Sequence, residues 1–213
     1  MTPSRTRRKL LLGLCAAGAL PLLQGCFPVV ATGVGAGAMM IADRRSSGTY
    51  VEDEGIEWKA AGRLREQFGT INHINVTSYN RNVLLTGEVQ NETVRAEAER
   101  IIAGVENVRG IINELAIGPA SSMSARANDS LITSNVKARF VDGQTFSANH
   151  VKVITEANVV FLMGLVTRAE ADAASNIAST SQGVRKVVRV FDYISEDEAR
   201  RLDAPAGSAP KQQ

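Results

Sequence analysis

Residues 83–89 read Val-Leu-Leu-Thr-Gly-Glu-Val, and residues 160–166 read Val-Phe-Leu-Met-Gly-Leu-Val. In both places a stretch follows whose apolar residues recur at three- and four-residue spacing, and then a second apolar run. Such spacing is typical of an amphipathic helix. The glycines of the two runs, Gly87 and Gly164, lie 77 residues apart. The chain therefore contains an internal duplication, which predicts two domains of similar structure.

Each copy also has a helical pattern and a strand before the quoted run. In the second copy the helix is marked by Ile132, Val136 and Phe140, with Asp129 as its expected N-cap. Both copies then have the order helix, strand, strand, helix, strand, which predicts an α+β fold of two tandem αββαβ units. A unit of roughly 65 to 70 residues has a marginal core of its own. Docking of the two units against each other is therefore plausible.

The N-terminus has the layout of a secretory signal in residues 1–25. A basic segment precedes the apolar run Leu10 to Leu23, which is short of the about 20 apolar residues of a spanning helix. The run closes on Leu-Gln-Gly-Cys, which resembles the bacterial lipobox. The resemblance predicts that Cys26 is diacylated on its sulfur, with chains such as palmitate, and becomes the mature N-terminus. An ordinary buried thiol is the alternative for Cys26. Export by the general or the twin-arginine route is left open.

Three further segments have the composition of connections. Residues 26–52, rich in Gly and Ala, predict a flexible tether, and residues 119–127, rich in Ser and Ala, predict a linker. A disordered tail is predicted for residues 195–213. These boundaries leave residues 53–118 and 128–194 for the two domains.

The two domains differ in charge. Residues 53–118 contain 7 basic and 10 acidic side chains, whereas residues 128–194 contain 7 basic and 6 acidic ones. Removal of the signal would leave 20 basic and 22 acidic residues, so the basic pI of the chain belongs mainly to the signal. The second domain is the more positive one, which is the direction that an anionic surface requires.

Two motifs occur in both copies. They are a hydrophobic-x-Gly-x-Val motif at residues 85–89 and 162–166, and a Gly-Val-x-x-Val motif at residues 104–108 and 183–187. With the αββαβ order they resemble the BON domain family. The resemblance implies a three-stranded mixed sheet packed by two helices in each domain. After a lipobox, it also implies an outer-membrane anchor, a role in outer-membrane integrity, and binding of anionic phospholipid by the first helix of the second domain.

The first helix of the second domain contains the candidate lipid contacts. Leu131 has no obvious place in its core stripe, so it could enter the acyl boundary while neighbouring basic residues meet lipid phosphates. The candidate residues are Leu131, Ser134, Asn135, Lys137, Ala138 and Arg139, with a secondary basic surface of Arg185, Lys186 and Arg189. Packing of Leu131 against the first domain or the linker is the alternative. For the basic cluster the alternative is a merely solvated surface.

Other functions find little support in the sequence. The two histidines, His73 and His150, stand in unmatched settings, so we expect no catalytic site, no metal site and no cofactor. Nucleic acid is not an expected partner, because there is no Gly-x-x-Gly clamp and no pair of base-stacking aromatics. Gly87 and Gly164 are expected to be structural. Core or interdomain packing is expected for Trp58.

The sequence thus predicts a non-enzymatic lipoprotein of the outer membrane that faces the periplasm. The residue after the predicted lipidated cysteine is Phe27. An Asp at this position would resemble an inner-membrane retention signal, so Phe27 favours the outer membrane. The expected partner is anionic phospholipid of the phosphatidylglycerol or cardiolipin type. The alternative is a protein-binding adaptor for outer-membrane assembly or for the cell-envelope and division machinery, with no direct recognition of lipid headgroups.

Overall fold

The computed structural model of the protein describes residues 43–204. The predicted signal sequence, Cys26 and most of the predicted tether lie outside the described residues, as do residues 205–213. The described part of the chain belongs to a single compact unit that contains both copies of the repeat.

The first domain contains the predicted order of elements and one additional short strand. Its elements are α1 (Ser47–Phe68), β1 (His73–Tyr79), β2 (Asn82–Val89), α2 (Glu92–Ala103), β3 (Gly110–Asn113) and β4 (Ala116–Ile117). Strand β2 is central: β1 pairs with it in antiparallel fashion, and β3 and β4 pair with it in parallel. The sheet is therefore mixed, because the helix α2 crosses from β2 to β3 while a tight turn joins β1 to β2.

The second domain repeats this arrangement. Its elements are α3 (Met123–Gly143), a 3₁₀ turn (Ala148–His150), β5 (Lys152–Glu156), β6 (Val159–Val166), α4 (Arg168–Ser179) and β7 (Lys186–Tyr193). The strand order is β5-β6-β7, with the first pair antiparallel and the second parallel. A final helix, α5 (Glu196–Asp203), follows. The prediction of two α+β units with mixed sheets is confirmed.

A buried carboxylate on the first helix of each domain holds the tight turn of the hairpin. Asp53 accepts hydrogen bonds from the backbone N–H groups of Asn80 and Arg81, at 2.8 and 2.7 Å. Asp129 accepts the corresponding bonds from Ala157 and Asn158, both at 2.9 Å. All four turn residues have positive φ, as a type I′ turn requires. The carboxylate satisfies backbone donors that the turn leaves without partners.

The prediction that Asp129 caps α3 is therefore wrong. The N-cap is Ser122, whose hydroxyl accepts a hydrogen bond from the backbone N–H of Ala125. Helix α3 consequently begins within the predicted linker, residues 119–127, and Asp129 lies almost two turns inside it. Its carboxylate is used for the distant hairpin turn rather than for the helix end.

The two sheets pack face to face, with the helices on the outside. The outer faces of the sheets, including Val83, Leu85, Val160 and Leu162, pack under the helices of their own domain. The inner faces share a third cluster, whose fully buried members are Tyr79, Leu84, Phe161 and Met163. Alternate residues of the central strands β2 and β6 are thus buried on opposite faces, which explains why both strands are continuously apolar. The result is four layers in the order helix, sheet, sheet, helix.

Polar contacts tie the edges of the two domains together. Lys152 of β5 donates to Glu57 of α1 at 2.9 Å. Asp192 of β7 accepts hydrogen bonds from Asn80 at 2.8 Å and from Arg109 at 2.6 Å, and both donors belong to the first domain. The docking of the two units that the sequence made plausible is therefore present in the described structure.

The end of the predicted tether is an ordered segment that we call the arginine clasp, Asp43-Arg44-Arg45. Arg44, which is 5% exposed, forms two bidentate ion pairs, with Glu170 at 2.7 and 2.9 Å and with Asp203 at 2.8 Å to both oxygens. It also donates to the carbonyl of Leu165 at 2.9 Å. The tether prediction is therefore wrong for residues 43–52, because Arg44 is held in the second domain and α1 already begins at Ser47.

The next residue of the clasp binds the first domain. Arg45 forms ion pairs with Asp53 at 2.8 Å and with Asp43 at 2.6 Å. Its guanidinium also lies over the ring of Tyr79, 4.1 Å from the centroid, a geometry that favours cation–π attraction. Neighbouring arginines thus hold the chain to both domains at once.

The predicted disordered tail is wrong for residues Glu196–Asp203, which form α5. Ser195 caps this helix by accepting a hydrogen bond from the backbone N–H of Glu198. Ala199 is buried, and Asp203 binds Arg44. The acidic first turn and basic last turn of α5 match the helix dipole.

Candidate functional site

One side of α3 is a continuous exposed strip without charge, which we call the α3 outer face. Its residues recur at three- and four-residue spacing on the side opposite the buried stripe. Its members are Met123, Ala127, Leu131, Ser134, Ala138 and Val141. The three large apolar side chains, Met123, Leu131 and Val141, are 79%, 70% and 63% exposed. At 1.5 Å per residue the strip is about 27 Å long.

The opposite side of α3 positions this face. Ile132, Val136 and Phe140 are buried against the sheet, as the sequence predicts. Leu131 lies next to this stripe but points to solvent, so the alternative that it packs against the first domain or the linker is wrong. The α3 outer face thus presents three large apolar side chains to solvent, with small uncharged residues between them.

The remaining candidate residues of α3 are not equivalent. Ser134, Lys137 and Ala138 are exposed, and Lys137 borders the α3 outer face. Asn135 is half-buried. Arg139 is engaged within the domain, because it donates to the carbonyl of Ile177 at 2.8 Å and to the hydroxyls of Ser181 and Thr180.

The role of Arg139 therefore needs correction. Its guanidinium satisfies the C-terminal end of α4, where carbonyl groups lack helical partners, so it does not serve as a free phosphate ligand. Lys137 is left as the basic residue that directly borders the strip.

The secondary basic surface is divided in the structure. Arg185, Lys186 and Arg189 are all exposed. Arg185 lies beside the β5–β6 turn, since its backbone N–H donates to the carbonyl of Asn158 at 2.9 Å. Asn128 of α3 donates to the side chain of Asn158. Arg189 instead forms an ion pair with Asp172 at 2.6 Å. Only the first two can extend the positive charge near the beginning of α3.

Trp58 lies on the outward side of α1 and is 80% exposed. The prediction that it packs in the core or between the domains is wrong. Val51, which is 64% exposed, and two glycines, Gly55 and Gly62, lie on the same side of α1. Because the helices form the two outer layers, this α1 outer face and the α3 outer face point in opposite directions.

Sequence reasoning did not include three residues of the α3 outer face, Met123, Ala127 and Val141, among the candidate lipid contacts. Met123 and Ala127 were assigned to a linker because the helix was expected to begin near Asp129. The available signal was the three- and four-residue recurrence of uncharged residues from Met123 to Val141 in an otherwise polar stretch.

Within residues 43–204, no helix combines the length and apolarity needed to cross a bilayer.

Comparison with known proteins agrees with the repeated architecture. The family model described as BON domain matches residues 53–119 and residues 128–194. The outer membrane lipoprotein DolP of Haemophilus influenzae is 41% identical over 180 residues, which cover 83% of this chain and 93% of that protein.

Two other relatives are similar over most of their length. A 21 kDa hemolysin of Actinobacillus pleuropneumoniae is 38% identical over 71% of this chain and 79% of its own. The osmotically-inducible protein Y of Escherichia coli is 29% identical over 73% of this chain and 80% of its own. The matched segments and these relatives show that the chain belongs to the BON domain family.

Proposed function

We propose that the protein is a lipid-anchored, periplasm-facing protein of the outer membrane whose second BON domain docks on anionic phospholipid through the α3 outer face. It is a binding protein and not an enzyme, as expected for the family to which it belongs. Acylation of Cys26 would keep the domains near the bilayer, and docking would contribute to the integrity of the outer membrane.

The exposed apolar strip carries the proposal. Complete burial of a Leu, Met or Val side chain contributes about 1.5–3 kcal/mol, so partial insertion of three of them supplies several kcal/mol. A lysine near an anionic membrane adds about 1 kcal/mol, which is the expected contribution of Lys137. A helix that exposes an uncharged face with a lysine at its border can lie in the plane of the interface.

The relatives and the sequence support the location. The relative from Haemophilus influenzae is named as an outer membrane lipoprotein and matches over 93% of its length. The lipobox-like ending at Cys26 fits the same mode of attachment. Two acyl chains on Cys26 would anchor the protein stably, and the α3 outer face would then set how the second domain lies on the bilayer.

Replacement of Leu131 by Glu is expected to weaken binding to phosphatidylglycerol vesicles at least tenfold. The new carboxylate would have to be desolvated at the interface and would be repelled by the lipid headgroups. The measurement is vesicle flotation of residues 43–213, which lack the acyl anchor, against phosphatidylglycerol and phosphatidylcholine vesicles.

The matched control is Val51→Glu, which places the same change on the opposite outer layer. We expect this variant to bind like the unaltered chain, and neither protein to bind phosphatidylcholine appreciably. Equal loss of binding in both variants would show that charge alone, and not the α3 outer face, determines the interaction.

A protein-binding adaptor is the second candidate function, and the exposure of Trp58 favours it. Exposed tryptophan is frequent among the residues that dominate protein–protein interfaces. If α3 lies on the membrane, the α1 outer face points away from it and remains accessible to a component of the assembly or envelope machinery. Protein-free vesicles separate the two functions: an adaptor without lipid recognition would not bind them, and Trp58→Ala would impair its partner contact alone.

A further inference from the structure

Three potential metal ligands from two domains converge at the edge of the domain interface. His73 begins β1, Glu88 is its cross-strand partner in β2, and Glu156 ends β5 of the second domain. Nδ1 of His73 is 2.9 Å from Oε2 of Glu88 and 3.8 Å from Oε1 of Glu156. One ligand atom from each residue lies within 4.8 Å of the other two.

The carboxylates of Glu88 and Glu156 are largely buried, and no guanidinium or ammonium group of the described residues pairs with either. Their side chains are 11% and 10% exposed, and within residues 43–204 the imidazole of His73 is their shared partner. Glu88 also accepts a hydrogen bond from the backbone N–H of Ser121 at 3.0 Å. Glu156 accepts one from Asn75 through Oε2 at 2.8 Å, but no described residue donates to its Oε1. Two buried negative charges thus have an incomplete set of partners.

The local geometry leaves room for a cation with its water. Zinc bonds of about 2.0–2.1 Å in a tetrahedron place ligand atoms roughly 3.3 Å apart, between the two separations that His73 makes here. A cavity of about 240 Å³ adjoins the cluster and is lined by His73 and Glu156 together with Asn75, Asp129, Thr133 and Arg126, whose Nε donates to the hydroxyl of Ser121 at 3.1 Å. It can hold a water molecule as the fourth ligand.

We propose that His73, Glu88 and Glu156 form a binding site for a divalent transition-metal cation of the zinc class, which would lock the two BON domains together. The imidazole nitrogen favours such a cation over calcium or magnesium, which prefer ligand sets of oxygen alone. The ion would take the place of the proton on Nδ1 of His73, and the remaining ring proton would then lie on Nε2.

Zinc binding by the full chain, purified in detergent and freed of metal by chelation, tests this site. Isothermal titration with zinc chloride is expected to show one ion that Glu156→Gln binds about 100-fold more weakly, since loss even of an outer-shell partner costs 10–100-fold. At a free zinc concentration of about 100 times Kd, the unaltered chain should melt roughly 5–10 °C higher than without zinc.

Two further variants make the result specific. His73→Gln removes the nitrogen ligand and should lose the same ion, while Glu66→Gln, an exposed glutamate elsewhere on the first domain, should bind zinc like the unaltered chain. Melting without zinc checks that each variant is folded. Equal zinc affinity in the unaltered chain and in Glu156→Gln, or no zinc-dependent rise in melting temperature, would overturn the proposal.

Discussion

Replacement of Arg44 by methionine is expected to lower the free energy of unfolding by about 3 kcal/mol. The change removes the cation between Glu170 and Asp203 and leaves the carboxylate of Glu170, which is 16% exposed, without its charged partner. Loss of one member of a buried ion pair costs about 3–5 kcal/mol, and the 41% exposure of Asp203 places the expected value at the lower end. Denaturant unfolding measures this difference.

Arg109→Met is the matched control. Arg109 also forms an ion pair with a carboxylate of the other domain, Asp192 at 2.6 Å, but it is 47% exposed. Such surface pairs contribute up to about 1 kcal/mol. A loss for Arg44→Met no larger than that for Arg109→Met would contradict the role of the arginine clasp.

The same cluster makes stability depend on pH. Burial, and then the charge of Arg44, lowers the pKa of His150 below its ordinary value of 6.5. The hydrogen bond from Arg44 lowers the pKa of Asp203. Burial alone would raise the pKa of Glu170, but the hydrogen bonds from Arg44 and Thr167 outweigh burial and lower it. In each case the unfolded chain binds more protons, so stability should decrease as the pH falls below about 6.5.

Replacement of Gly87 by alanine is the second change with a large expected effect, a loss of about 3 kcal/mol or more. Gly87 has a φ of 112°, and a Cβ at this position would lie 2.0 Å from the carbonyl oxygen of His73 in the paired strand. Backbone strain of this kind costs about 1–3 kcal/mol, and displacement of β1 adds to it. Thermal unfolding measures the effect.

Gly62→Ala provides a control of opposite sign. Gly62 lies within α1, where an added Cβ would contact nothing within 4 Å. Alanine is about 1 kcal/mol more favourable than glycine inside a helix, so this variant should be more stable than the unaltered chain. The same glycine-to-alanine change would thus have opposite consequences at the two sites, and a stabilising Gly87→Ala would contradict the close strand contact.

The repeated glycines illustrate what the sequence could predict. Gly164 is the counterpart of Gly87, and a Cβ there would lie 2.4 Å from the carbonyl oxygen of His150. Where two backbones approach this closely, only glycine fits. The glycine therefore recurs at the same place in both copies, and the duplication and its strand order could be predicted from the sequence. A backbone carbonyl approaches both glycines, and of the two only Gly87 has positive φ.

Features that depend on distant partners were not visible in the same way. Arg44 and Asp203 are 159 positions apart, and nothing in their local sequence indicates that they meet. The convergence of His73, Glu88 and Glu156 likewise follows from face-to-face packing of the two sheets. Asp129 has the residue type of a helix cap, but its partners belong to a turn 28 residues further on.

The α3 outer face lies between these extremes. The exposure of Leu131 followed from the helical period alone, because Ile132 and Val136 define the buried side. The length of the face depended on the start of α3, and local capping signals could not choose between Ser122 and Asp129. Trp58 was misjudged because large aromatic residues are mostly buried, and the sequence does not report which side of α1 faces the sheet.

An amide chemical-shift titration tests the lipid-docking function most directly. The chain from residue 43 to 213, without the acyl anchor, would be titrated with phosphatidylglycerol micelles and with a zwitterionic detergent as the control. We predict shifts confined to the α3 outer face, including Leu131, Ala138 and Val141, with the anionic lipid alone. No shift with either micelle, or shifts centred on Trp58 instead, would contradict docking through α3.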